Sequence, residues 1–99
     1  MTESRPVLEA IALRRLLEAT YNRMRVKLAP HILYTRHDEM YVDAITIERE
    51  GRPVTEPKLG TFKLAGLKIE GVLPTTFNPQ GDLFEPNNPK YEGVTLLAV

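Results

Sequence analysis

The sequence predicts an α+β domain: one N-terminal helix, five short strands bent into a small, partly closed barrel, and an irregular C-terminal arm. Apolar residues recur at spacings of three and four up to about Arg15, and at a spacing of two from Leu17 onward. The strands that follow are short and joined by brief polar connectors, as in a locally wound sheet. Beyond Leu73 the periodicity stops, and prolines and asparagines take over.

The helix is expected from Pro6 to about Arg15. Val7, Leu8, Ala10, Ile11, Ala12, Leu13, Leu16 and Leu17 carry its spacing, with Ser4 placed to cap and Pro6 in the first turn. Glu9 near the start and Arg14 and Arg15 near the end suit the helix dipole. Leu17, Ala19 and Tyr21 then alternate with Glu18 and Thr20, a first strand, and Asn22-Arg23 offers a turn. In the long run after it, Met24, Val26, Leu28, Ile32 and Tyr34 share one parity while Arg23, Arg25, Lys27 and His31 share the other. That pattern predicts one apolar and one basic face. Pro30 cannot donate to a ladder, so it marks an edge, a bulge or a sharp bend.

His37-Asp38-Glu39 leads into a third strand from Met40 to Arg49, rich in β-branched and aromatic residues and closed by Glu50-Gly51-Arg52-Pro53. A loop to Pro57 precedes a fourth strand, Leu59 to Leu64, and a fifth, Leu67 to Leu73. The expected division is therefore 1–73 for helix and barrel and 74–99 for the arm. The arm's Phe77, Leu83, Phe84 and Tyr91, with the ending GVTLLAV, are too apolar for a solvated tail. It is expected to pack on the barrel or on a neighbouring copy.

Composition limits what such a domain does. With 99 residues, 42% hydrophobic and 26% charged, the chain has material for one packed core and is too apolar to be disordered. Thirteen basic residues balance thirteen acidic ones. No global field draws in nucleic acid or an anionic membrane, and the missing repulsion makes self-association easier. The absence of cysteine excludes disulfides, thiolate metal sites and a thiol nucleophile. Glu9, Arg14 and Arg15 break the first apolar run, which reads neither as a signal peptide nor as a membrane span, so cytoplasmic residence is the expectation.

Five pieces carry a family resemblance: LEAIALRR in the leading helix, Tyr21 in the first strand, Leu28-Ala29-Pro30, Met40-Tyr41-Val42, and Thr61-Phe62-Lys63-Leu64. In this order they resemble the WYL domain, common in bacterial transcription regulators, over about Val7 to Val72. The resemblance implies an Sm-like, SH3-type barrel and a non-enzymatic, regulatory role in sensing single-stranded nucleic acid or a nucleotide-like anion. It also implies a partner protein carrying the DNA-binding domain, because no helix-turn-helix precedes the first helix. Family members hold their anionic ligand with two arginines around the Phe-bearing strand. Here those places are Gly60 and Gly66, and glycine supplies none of the bidentate contacts of a guanidinium.

Read from the residues, the local anion site on offer is Arg23, Arg25 and Lys27 with His31, extended by Lys63, and Tyr41 is the ring available for base stacking beside Tyr21 and Tyr34. The same alternation also describes a solvated outer face whose charges discourage edge pairing, and Tyr41 also fits a half-buried barrel position. His31, His37, Asp38 and Glu39 fall short of any recognised metal-ligand spacing. Ser4 is the only serine and belongs to the helix cap, and no glycine-rich phosphate loop is present. No catalytic set, metal or cofactor is expected. The alternative function is protein interaction or homodimerisation through the arm.

Overall fold

The computed structural model describes residues 4–99. The fold is α+β: one N-terminal helix and a curled, seven-stranded antiparallel sheet that forms half a barrel. Helix α1 (Arg5–Leu13) turns Val7, Ala10 and Ile11 inward, and Pro6 sits in the first turn, where a missing N–H costs nothing. It ends two residues earlier than the apolar spacing predicts. Arg14 adopts the left-handed conformation (φ 54°) and its N–H caps the carbonyls of Ala10 and Ile11, which swings Arg15 directly into β1. Ser4 holds the N-cap position without a side-chain bond, and neither Glu9 nor the two arginines lie in the terminal turns where the dipole was expected to favour them.

Strands β1 (Arg15–Tyr21), β2 (Met24–Arg36), β3 (Glu39–Arg49) and β4 (Arg52–Pro53) form a meander. Each link is a two-residue loop with both φ angles positive: Asn22-Arg23, His37-Asp38 and Glu50-Gly51. This is the type I′ signature, whose twist matches that of the flanking strands. β5 (Leu59–Lys63) pairs with β3 beyond β4, and β6 (Leu67–Thr76) pairs with the outer edge of β1. The last strand, β7 (Thr95–Ala98), pairs with β2 at Ile32 to Tyr34, past the end of β1. The arm, expected to be irregular, thus contributes a strand of its own to the sheet.

Strand β2 is buried on both sides from Leu28 to Tyr34, so the simple alternation fails. Pro30 pairs with Ala44 and Ile32 with Asp43, leaving His31 as an extra residue that shifts the phase. Before it, Leu28 faces the helix and Ala29 the opposite side. After it, Leu33 faces the helix, while Ile32 and Tyr34 face away.

Two apolar layers result. Under α1, Val7, Ala10 and Ile11 pack on Leu17, Ala19, Val26, Leu28, Leu33, Val42, Ala44, Leu64 and Leu67. Each fully buried Val or Ile there contributes about 1.5–3 kcal/mol. On the other side of the sheet the arm supplies the cover: Phe77 over Leu16, Ala29 and Ile45, then Phe84 and Tyr91 over Ile32 and Tyr34. No helix among the described residues is long and apolar enough to cross a membrane.

Candidate ligand-binding groove

The basic residues predicted to act together are spread over the molecule. Arg23 lies in the first hairpin loop, and only Arg25 and Lys27 remain on the charged face of β2. Their cross-strand neighbours are acidic. Lys27 sits between Glu18 and Glu48 and pairs with Glu48 at 3.3 Å, and the Arg25 backbone N–H donates to Glu50 Oε1 at 3.0 Å. Two cations among three carboxylates leave no cationic surplus to attract a polyanion.

His31 does lie on the same side of β2 as Ala29, but there residues 77–84 of the arm cover the sheet and bury it fully. Its Nε2 accepts the Gln80 backbone N–H at 3.0 Å, so the ring proton is on Nδ1, which donates to the Ala29 carbonyl at 2.8 Å. Tyr41 and Lys63 do come together, as a cross-strand pair at the far end of β3. Both address Glu39: Lys63 at 2.8 Å and the Tyr41 hydroxyl, donating, at 3.4 Å. The Lys63 hydrogen bond holds the Glu39 carboxyl below its usual range, and Glu39 in turn raises Lys63. Tyr41 is half-buried and stacks on Tyr34 with ring centroids 6.0 Å apart.

A buried carboxylate that the sequence reading passed over lies on the arm side of β3. Asp43 accepts hydrogen bonds from Tyr34 (2.8 Å) and Tyr91 (2.5 Å) and pairs with Lys90 at 2.8 Å. Burial alone would raise its pKa. The hydrogen bonds from Lys90, Tyr91, Tyr34 and Thr61 together outweigh that and hold it below the usual carboxylate value. The signal in the sequence was one acid inside a run of β-branched and aromatic residues. Every bonding position of this carboxylate faces protein, so it fastens the arm and offers nothing to a ligand.

One open groove, of about 360 Å³, is lined by Thr46, Arg49, Val54, Glu56, Lys58, Gly60 and Phe62. Thr46 and Arg49 share a face only because Ile47 is an extra residue between the Leu28–Thr46 and Lys27–Glu48 pairs. β4 and the Val54 N–H, which donates to the Ile47 carbonyl, anchor the loop carrying Glu56 and Lys58 along the rim. Phe62 stands in β5 with its ring edge-to-face on Tyr21, centroids 5.1 Å apart. Among the described residues neither Arg49 nor Lys58 forms an ion pair.

The two glycines flank this aromatic pair. A Cβ built on Gly60 would lie 3.4 Å from the Phe62 ring, and one on Gly66 3.4 Å from the Tyr21 ring. Among the described residues no cluster of three or more His, Asp or Glu side chains suits a metal ion. Comparison with protein-family models, with curated proteins and with solved structures finds no match to this chain.

Proposed function

We propose that this protein is a non-enzymatic binding module that holds a planar, nucleotide-like anion in the groove between the end of β3 and β5. One observation carries the reading: two cations without ion pairs, Arg49 and Lys58, border a half-buried aromatic ring beside a glycine. Guanidinium and ammonium groups supply charge-assisted bonds to a phosphate, the ring supplies a surface for a base, and the missing Gly60 side chain leaves room beside it. Glu56 on the same rim disfavours a long polyanion and favours a small ligand with one or two negative charges.

WYL kinship is part of this proposal. The positions where such domains carry ligand-binding arginines are Gly60 and Gly66, and both adjoin Phe62 or Tyr21 in this chain. The cations have then moved from β5 and its following turn to the end of β3 and the rim loop, while the ligand keeps its place. On this reading the domain is an Sm- or SH3-like regulatory unit that passes ligand occupancy to a partner protein.

A thermal-shift screen of nucleoside phosphates and short single-stranded oligonucleotides at 50 and 300 mM salt tests it, because a ligand that prefers the folded state raises its melting point. The expected result is a rise for a mononucleotide that shrinks at the higher salt. Losing one charge-assisted bond of about 1.5–3 kcal/mol weakens binding roughly ten- to a hundredfold in Arg49→Ala and in Lys58→Ala. Lys27→Ala binds normally. No rise with any of these compounds at low salt rules the reading out.

A further inference from the structure

Beneath the first half of the arm lies a buried histidine, His31. Phe77 and Phe84 stand against its ring with centroids 5.2 and 5.3 Å away, and Gln80 donates its backbone N–H to Nε2. All three belong to the arm segment 77–84. The segment is also held by the Phe77 N–H to the Arg14 carbonyl and by apolar packing of Phe77 on Leu16, Ala29 and Ile45 and of Phe84 on Ile32, Tyr34 and Tyr91; its other hydrogen bonds, from Leu83 and Phe84 to Gln80 and from Gln80 to Asn78, are internal. The second half of the arm has polar anchors of its own, Tyr91 and Lys90 on Asp43 and β7 on β2, and touches the first half through the Phe84–Tyr91 ring contact.

We propose that His31 is an acid-operated catch for residues 77–84: protonating its ring frees this segment from the sheet and uncovers Leu16, Ala29 and Ile45, while the second half of the arm stays docked.

The chemistry follows from which atom carries the proton. In the closed state both ring nitrogens are committed, Nδ1 as donor to the Ala29 carbonyl and Nε2 as acceptor from Gln80. Imidazolium has no acceptor. A proton arriving on Nε2 points at the Gln80 N–H, so one hydrogen bond becomes two opposed donors inside an apolar pocket. The groups facing His31 are the Ala29 carbonyl of its own strand and Phe77, Gln80 and Phe84 of the arm; just past β7 the Val99 N–H donates to the His31 backbone carbonyl. No carboxylate stabilises the charged ring. Burial therefore lowers its pKa below the ordinary histidine value of 6.5, against the smaller opposing effect of the Ala29 bond. A freed ring returns to water and to that ordinary value. The open form consequently gains population as pH falls below about 6.5, tenfold per pH unit until the closed form also titrates.

Hydrogen exchange of the unaltered chain between pH 8 and 5, read as protection factors, tests this together with the ring nitrogen shifts of His31. Protection at Gln80, Leu83 and Phe84 is expected to be constant above pH 6.5 and to fall below it, approaching tenfold per unit. Tyr91, Glu92 and Val94 should keep theirs, because Asp43 stays ionised throughout. His31→Gln, which can still accept from the Gln80 N–H, should hold the segment closed with no slope. Unchanged Gln80 protection across the measured His31 titration overturns the proposal, as does a slope that survives in His31→Gln. If that variant does not fold, the two curves from the unaltered chain decide.

Discussion

At Asp43 a single, fully buried carboxylate accepts two tyrosine hydroxyls and one ammonium. Asp43→Ala leaves the two tyrosine hydroxyls buried without an acceptor, and the loss expected is about 3–5 kcal/mol, measured by urea unfolding at pH 7. The pH dependence has a definite sign. Its folded pKa lies below the usual 3.8, so the stabilisation is complete above that value and disappears as pH falls through the folded one. Asp43→Asn should therefore remove the part of the acid-induced loss that occurs below about pH 3.8. At the alkaline end, burial and then Asp43 push Tyr34 up to about 12. Its contribution is present below pH 10 and is lost as pH rises through that value, which absorbance at the tyrosinate band follows.

Among the elements, the hairpin loops carry a cost that substitution can remove. Arg23 (φ 65°) and Asp38 (φ 64°) occupy left-handed positions where a β-carbon is disfavoured by about 1–2 kcal/mol. Glycine relieves that but gives the unfolded chain more freedom. Arg23→Gly and Asp38→Gly should each stabilise by roughly 0.5–1 kcal/mol, seen as a higher melting temperature in calorimetry. The anion-binding reading leaves ligand affinity unchanged in both. The period change after the helix was legible because alternation survives along β1 and much of β3. The end of α1 was not legible: Arg14 is a good helix former, and nothing local announces that it turns left-handed where glycine is customary. The extra residues at His31 and Ile47 were hidden for a related reason, since a phase shift is set by cross-strand pairing and not by composition.

On the scale of the whole molecule, two apolar layers share one sheet, and the second is supplied by the chain's last quarter. A chain ending at Thr76 loses Phe77, Phe84, Tyr91 and β7 together, leaving Ile32, Tyr34 and Ile45 on an uncovered face. Size-exclusion chromatography should show it aggregated, while the full chain elutes as a defined species. The sequence pointed to the arm's anchors and to its packing, but the charged face suffered from a one-strand view. Arg25 and Lys27 looked like a cationic row until Glu18 and Glu48 were brought alongside by the neighbouring strands. Arg49 escaped notice because its side is decided by the extra Ile47.

The extra residue in β2 also governs how this gene can change its length. Deleting the codon for His31 leaves a strand that alternates strictly from Leu28 to Tyr34 with each side chain still on its own face, whereas an added codon that the bulge does not absorb moves Ile32 and Tyr34 against the helix and Leu33 beneath the arm. Insertions there should therefore be depleted from a random library relative to additions between Thr55 and Lys58, which lie outside every ladder.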